Sequence, residues 1–364
     1  MQAEAMWKVS TGKGIKIAVV DSGVNPNTAS LKGQVLPGLD TSKREGSSPL
    51  TEDLNGQGTT TAELIAGTGA GGGIRGLAPG AKIIPYRVPL LKHNELQGID
   101  DPVYRAVKAA ADSDAKIINV SVGNESAIGV DPMLGLADAF EYAVGKGKLI
   151  ITGTGDNAKQ GNKPQSPAKS IDVVGVASID RSGKVADFSQ HGKDVDLSAP
   201  GVDTPRWCDA KFQRYCQGNG GGVAAAALTS ASAALIWSLH PDWTAHQVLR
   251  VLYDTASRSW DVRTHNNFHG FGTIRPREVV LQGKGNPGKP DSKRLISRVQ
   301  PVPSAAPTNP PKATQKPDAP ALAASSKDAD TGGGTNAPLL IGGIAAVLLL
   351  AAGTFAVLRR RRTP

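Results

Sequence analysis

Five short apolar runs, with helical patterns between them, set the architecture this chain can adopt. They are Lys16-Ile17-Ala18-Val19-Val20, Lys82-Ile83-Ile84-Pro85-Tyr86-Arg87-Val88, Ile117-Ile118-Asn119-Val120-Ser121-Val122, Leu149-Ile150-Ile151-Thr152 and Asp172-Val173-Val174-Gly175-Val176. The first stops at Asp21-Ser22-Gly23, as a buried strand stops at a loop. Asp101 to Ala111 and Met133 to Val144 instead repeat apolar residues at three and four spacing, which predicts helices. Strand and helix in alternation predict an α/β body with a mostly parallel sheet covered on both faces.

Composition divides the chain. The body is expected over residues 1–282. Residues 283–337 hold nine prolines among Ala, Ser, Thr, Lys and Asp and almost no large apolar residues. Such a stretch cannot bury enough surface to fold, and as an extended linker it would reach roughly 170 Å. Residues 338–358 follow, and Leu339 to Leu358 carry no charge over twenty residues, enough to cross the roughly 30 Å hydrocarbon layer of a bilayer. Residues 359–364 open with four arginines, which predicts a cytoplasmic tail and an extracytoplasmic body. That topology needs an export signal. Met1 to Trp7 has no apolar core, so either a signal precedes this sequence, as the topology and the cysteine pair favour, or the body is cytoplasmic.

The net charge of +9 suggests nucleic acid until it is located. The linker carries eight Lys/Arg against four Asp, and the tail adds its arginines, which leaves the first 282 residues about one positive charge. A near-neutral body is not a nucleic-acid binder. Cys208 and Cys216 lie too far from other ligand types for a metal site. They form a disulfide in an oxidising compartment or stay as two thiols in a reducing one. No cofactor and no metal is expected. The carboxylates Asp53 and Glu63 carry no ligand spacing.

Three motifs carry the function. Val19-Val20-Asp21-Ser22-Gly23 ends the first strand, Gly56-Gln57-Gly58-Thr59 follows, and Gly220-Gly221-Gly222-Val223-Ala224-Ala225-Ala226-Ala227 opens a late apolar helix. With Gly76-Leu77-Ala78-Pro79-Gly80, Asn119 to Gly123, Ser198-Ala199-Pro200-Gly201 and Gly270-Phe271-Gly272, in this order, the chain resembles the subtilisin-like serine proteases from about residue 7 to residue 280. A body of that kind with a proline-rich linker, one C-terminal span and a basic tail looks like the mycosins, the membrane-anchored subtilases of type VII secretion in actinobacteria.

The resemblance implies the subtilisin-like three-layer fold and a triad in the order Asp, His, Ser. Asp21 matches the aspartate. Gln57 stands at the histidine position, where a subtilase has Gly-His-Gly-Thr, and an amide has no titratable nitrogen to act as general base. Val223 or Gly222 stands at the serine position; neither has a hydroxyl. Asp156 matches the oxyanion-hole asparagine, and a carboxylate there would repel a developing oxyanion unless Asn157 replaces it. Ser230, Ser232, His191 and His240 fall outside the motifs. Ser121, Val122 and Gly123 match the strand on which subtilases pair an extended peptide, or they form an ordinary sheet edge.

The expected function is a membrane-anchored pseudoprotease that scaffolds type VII secretion membrane components. The alternatives are an active endopeptidase with a divergent triad and an extracytoplasmic receptor for an extended peptide.

Overall fold

The computed structural model describes residues 2–41, 52–53, 55–89, 101–122, 124–125, 134–261 and 264–290. Most of the linker, the apolar segment 339–358, the arginine tail and Gly123 lie outside these residues.

In chain order the elements are α1 (Ala3–Trp7), β1 (Lys16–Asp21), β2 (Leu39–Asp40), α2 (Gln57–Ala66), β3 (Lys82–Arg87), α3 (Pro102–Asp112), β4 (Ile117–Val120), β5 (Asn124–Glu125), α4 (Leu134–Gly145), β6 (Leu149–Gly153), β7 (Gln165–Ser166), β8 (Val174–Ile179), β9 (Leu197–Pro200), β10 (Thr204–Trp207), β11 (Tyr215–Gly218), α5 (Gly221–Leu239), α6 (Ala245–Thr255) and α7 (Pro276–Val280). Seven strands form one sheet in the order β2-β3-β1-β4-β6-β8-β9, and every neighbouring pair is parallel. Parallel neighbours need crossovers, and α2, α3 and α4 supply them. β5 and β7 form a small antiparallel pair, as do β10 and β11.

The two-residue alternation of each strand divides the core. Ile17, Val19, Ile83, Ile117 and Ile151 join one buried cluster with side chains of α2, α5, α6 and α7. Ala18, Val20, Ile84, Ile118 and Ile150 join a second cluster with α3 and α4. Because both faces are covered, these strands read as unbroken apolar runs. Each fully buried Ile or Leu contributes roughly 1.5–3 kcal/mol.

α5 is the axis of the body. It is apolar on all sides, as a helix surrounded by protein must be. Among the described residues it is the one helix long and apolar enough to cross a membrane, and it is mostly buried inside the core. The sequence-predicted span at 339–358 is a different segment.

The last expected strand begins two residues later than its apolar run, at Val174, because Asp172 and Val173 belong to the turn before it. The body also continues past residue 282. Arg250 Nη1 donates to the Pro287 carbonyl at 2.6 Å and Gln247 Nε2 to that of Gly288 at 3.1 Å. The first residues of the expected linker are thus held on α6.

Candidate functional site

The site lies where β1, β4 and β6 end and α2 and α5 begin. Asp21 closes β1 with its side chain fully buried. Its Oδ1 accepts from the Ser22 amide at 2.7 Å and from Gln57 Nε2 at 3.0 Å, and its Oδ2 accepts from Thr61 Oγ1 at 3.0 Å. Burial dominates its titration. Hydrogen bonds from Ser22, Thr61 and Gln57 oppose the shift and the nearby Asp53 carboxylate adds to it, so the Asp21 pKa is raised to about 7.

Gln57 is the first residue of α2. Its amide nitrogen also donates to the Ser121 carbonyl at 2.9 Å, so one side chain ties the end of β1 to the end of β4. The flanking glycine is required by a close approach. A Cβ on Gly58 would lie 2.0 Å from the Gly23 carbonyl oxygen, so only glycine lets α2 sit this tightly on the β1 exit.

Asp53 caps α2 from the preceding loop. Its oxygens accept from the amides of Gly56 at 3.0 Å and Thr59 at 2.8 Å, and from Ser22 Oγ at 2.7 Å. A carboxylate there satisfies amides that the helix cannot.

The entrance to α5 is closed by Asp156. Gly220, the N-cap, offers no side chain, and the Gly222 amide donates to Asp156 Oδ1 at 2.9 Å. Gly221 has φ 60°, and a Cβ there would lie 1.9 Å from Asp156 Oδ2. The Asp156 carboxyl therefore occupies the anion-attracting end of the helix. Burial of that carboxyl raises its pKa, against the Gly222 hydrogen bond, while the residue's outer edge stays open to the cleft. Asn157 does not take its place, because its side chain accepts from Gln190 Nε2.

Between the two helix entrances is a cleft of about 250 Å³, lined by Gln57, Thr60 and Leu64 of α2, by Asp156, by Arg206 and Trp207 of β10, and by Asn219 and Val223. Val223, rather than Gly222, forms the α5 wall facing Gln57. Gly222 instead packs on the backbone of Gly153.

The β10–β11 hairpin, which had no apolar pattern to reveal it, makes the remaining wall. Trp207 donates its amide to Thr60 Oγ1 at 3.0 Å and stacks on Tyr215 with ring centroids 3.9 Å apart. Tyr215 donates to the buried Glu63 at 2.8 Å, and Thr28 donates to the same carboxyl at 2.7 Å. Burial raises the Glu63 pKa. Cys208 and Cys216 are joined as a disulfide across the hairpin, which sets aside the alternative of two separate thiols.

Ser121 and Val122 do not lie on a sheet edge. β4 is flanked by β1 and β6, the Ser121 amide donates to the Val20 carbonyl at 3.0 Å, and the Ser121 carbonyl accepts from Gln57. The following residues, at β5, pair with β7.

The hydroxyls and imidazoles that fall outside the motifs, Ser230, Ser232, His191 and His240, are placed elsewhere. Ser230 Oγ donates to Asn119 Oδ1 at 3.0 Å and Ser232 Oγ to the Leu228 carbonyl at 2.7 Å, both within the core. His240 caps the far end of α5, about 28 Å from its entrance. His191 stacks on Phe268. Among the described residues no group of three or more His, Cys, Asp or Glu is placed to hold a metal ion. The residues that face one another across the cleft are an amide, an aliphatic side chain and a carboxyl. They can accept and donate hydrogen bonds but offer no thiol and no imidazole, and the one hydroxyl in the lining, that of Thr60, is engaged by the Gly56 carbonyl and the Trp207 amide.

The sequence profile of the subtilase family matches residues 12–272. This chain is a member of the subtilase family. Thermitase from Thermoactinomyces vulgaris is 35% identical over 202 residues, covering 55% of this chain and 68% of thermitase. The thermophilic serine proteinase of Bacillus sp. strain AK1 is 34% identical over 199 residues, covering 54% of this chain and 46% of that protein. Of solved structures, the MycP3 protease from the type VII (ESX-3) secretion system is 27% identical with a TM-score of 0.63, covering 76% of this chain and 85% of that one. The mostly parallel sheet with helices on both faces is thus the subtilisin-like fold.

Proposed function

We propose that this subtilase is a non-catalytic member, a membrane-anchored pseudoprotease that scaffolds a type VII secretion membrane complex. The observation that carries this reading is the Gln57 amide bridging Asp21 and Ser121, with Val223 opposite. In this reading Gln57 stands for the family's histidine, Val223 or Gly222 for its serine and Asp156 for its oxyanion-hole asparagine. A triad needs an imidazole between carboxylate and hydroxyl. Here the amide nitrogen donates to both of its partners and has no lone pair to take a proton. In subtilisin, loss of the nucleophile or the base alone lowers turnover by about 10⁶.

The secretion role is supported by likeness to the MycP3 protease and to MycP1, the latter 25% identical with a TM-score of 0.63. The anchor is supported by the uncharged segment 339–358 and the arginines after it. Full-length chain extracted from its native membrane in mild detergent should co-elute with secretion-channel components. Elution as an isolated chain under conditions that keep the channel intact would overturn the scaffold role.

A further inference from the structure

The charged side chains that line the cleft are Asp156 and Arg206, and among the described residues neither has an ionic partner. Asp156, at the entrance of α5, accepts one hydrogen bond, from the Gly222 amide at 2.9 Å. Burial of its carboxyl raises the pKa, only that amide opposes the shift, and no cation contributes. Arg206, on β10, is exposed, and its side chain makes no hydrogen bond or ion pair among the described residues. The other charges nearby do not face the cleft. Asp21, Asp53 and Glu63 are buried and held by hydroxyls and amides. Asp209, Lys211 and Arg214, on the hairpin, lie beyond the lining residues.

The two charges are set apart in a definite order. A Cβ on Gly221 would lie 1.9 Å from Asp156 Oδ2, and one on Gly218 would lie 3.5 Å from Arg206 Nε. The carboxyl is therefore at the start of α5 and the guanidinium over the end of β11, with Asn219 and Gly220 between them. Gln57 donates both amide hydrogens inward, to Asp21 and to the Ser121 carbonyl, which leaves its Oε1 as a second acceptor in the cleft. Val223 and Leu64 supply an apolar wall. At about 250 Å³ the cleft is smaller than sites for drug-sized ligands, about 300–1,000 Å³, and suits a single residue rather than an extended peptide.

A ligand that satisfies both ends carries a cation and an anion on one residue, joined by an alkyl stem. In a polypeptide that combination occurs at a C-terminal lysine or arginine, where methylenes separate the α-carboxylate from the side-chain cation. The rest of the chain then leaves at the carboxylate end, past the exposed Arg206. An N-terminal aspartate or glutamate carries the same charges in the reverse order. Its chain would have to leave through the Asp156 end, where Gly222 packs on the backbone of Gly153.

We propose that the cleft binds the C-terminal residue of a polypeptide ending in lysine or arginine, with its side-chain cation on Asp156 and Gln57 Oε1, its methylenes against Val223 and Leu64, and its carboxylate on the Arg206 guanidinium. A guanidinium pairs with a carboxylate through two parallel hydrogen bonds, and a basic stem packs on apolar surface while its head keeps polar partners. The inference rests on the non-catalytic reading given above, in which the cleft holds a chain without cutting it.

Fluorescence anisotropy with full-length chain in mild detergent tests it, using N-terminally labelled Gly-Ala-Ala-Lys as the probe. The C-terminal amide of this peptide lacks the anion, and norleucine in place of lysine lacks the cation. Each change should weaken binding at least about tenfold. Arg206→Gln should abolish the preference for acid over amide and keep that for lysine over norleucine, and Asp156→Asn should do the reverse. The Arg206 side chain makes no hydrogen bond within the fold, so its arm stands if Asp156→Asn fails to fold. Free lysine, whose α-ammonium would lie beside Arg206, should compete at least about tenfold more weakly than the unlabelled peptide. Equal affinity for the acid, amide and norleucine peptides, or no saturable binding up to about 5 mM, would overturn the site. Equal competition by free lysine, or tighter binding of a peptide that begins with glutamate, would overturn the C-terminal assignment. Release of lysine from the probe, read by mass, would overturn the non-catalytic reading and this inference with it, whereas absence of binding without release overturns the site alone.

Discussion

The entrances of α2 and α5 face each other across the cleft, and each is capped by a carboxyl from outside the helix. At α2 the cap is dry: Asp53 is 6% exposed, Asp21 beside it is fully buried, and five donors converge on Asp53 and Ser22. At α5 the cap is wet, because Asp156 makes one bond to Gly222 and opens to the cleft. The difference teaches where each function resides. The α2 end is a structural joint between β1, β4 and the helix. The α5 end is a surface that a ligand or partner can meet.

Substitutions that unequally disturb the two ends test this contrast. The largest effect is expected for Asp53→Ala, which leaves the Gly56 and Thr59 amides without their acceptor, while the Ser22 hydroxyl keeps Asn55 and Asp21. Unsatisfied buried donors cost about 1–3 kcal/mol each in the absence of relaxation, so a loss of about 3 kcal/mol is expected in urea unfolding. A loss below about 1 kcal/mol would remove the distinction between the ends.

Asp21→Asn comes next, and its effect depends on pH. The folded-state pKa is raised from 3.8 to about 7. The native state therefore holds a proton that the unfolded chain releases, and the associated stability is fully present below about pH 4 and lost as pH rises through about 7. The variant cannot ionise, so its stability should be flat over that window, while that of the unsubstituted chain falls as pH rises through it. Parallel pH profiles of the two proteins would contradict the raised Asp21 pKa.

Gln57→Leu removes both amide hydrogen bonds and should cost about 1.5 kcal/mol. Because the Gln57 bond lowers the Asp21 pKa, its loss should move the pH-dependent fall in stability to higher pH. Asp156→Ala should cost least, about 0.5–1 kcal/mol, as for an exposed N-cap. Equal costs for Asp53→Ala and Asp156→Ala would show that both ends are joints.

Much of this was legible in the sequence because it is periodic or local. The apolar runs located the strands, since β1, β3, β4 and β6 are buried on both faces. The glycines around Gln57 and Val223 marked two helix entrances, since no other residue allows such close backbone approach. What the sequence left open depends on contacts between distant residues. Val223 and Gly222 are equivalent as text, and only the packing of Gly222 on Gly153 turns Val223 to the cleft. The Ser22–Asp53 bond spans 31 residues of chain with no pattern to announce it. The β10–β11 hairpin carries Arg206, Asp209, Lys211 and Arg214 and shows no apolar alternation; its cysteines were its one signal. Asp156 was matched to the oxyanion-hole position by motif order alone, and its bond to the helix amide at 2.9 Å needed the fold to appear.

The central claim is that this subtilase scaffold carries no working nucleophile. Full-length chain incubated with a fluorophosphonate probe, with thermitase as the positive control, tests it directly by intact mass. The account predicts no mass increase on this chain under conditions that label thermitase to completion. A single covalent adduct that maps to one serine and disappears when that serine is replaced would contradict it.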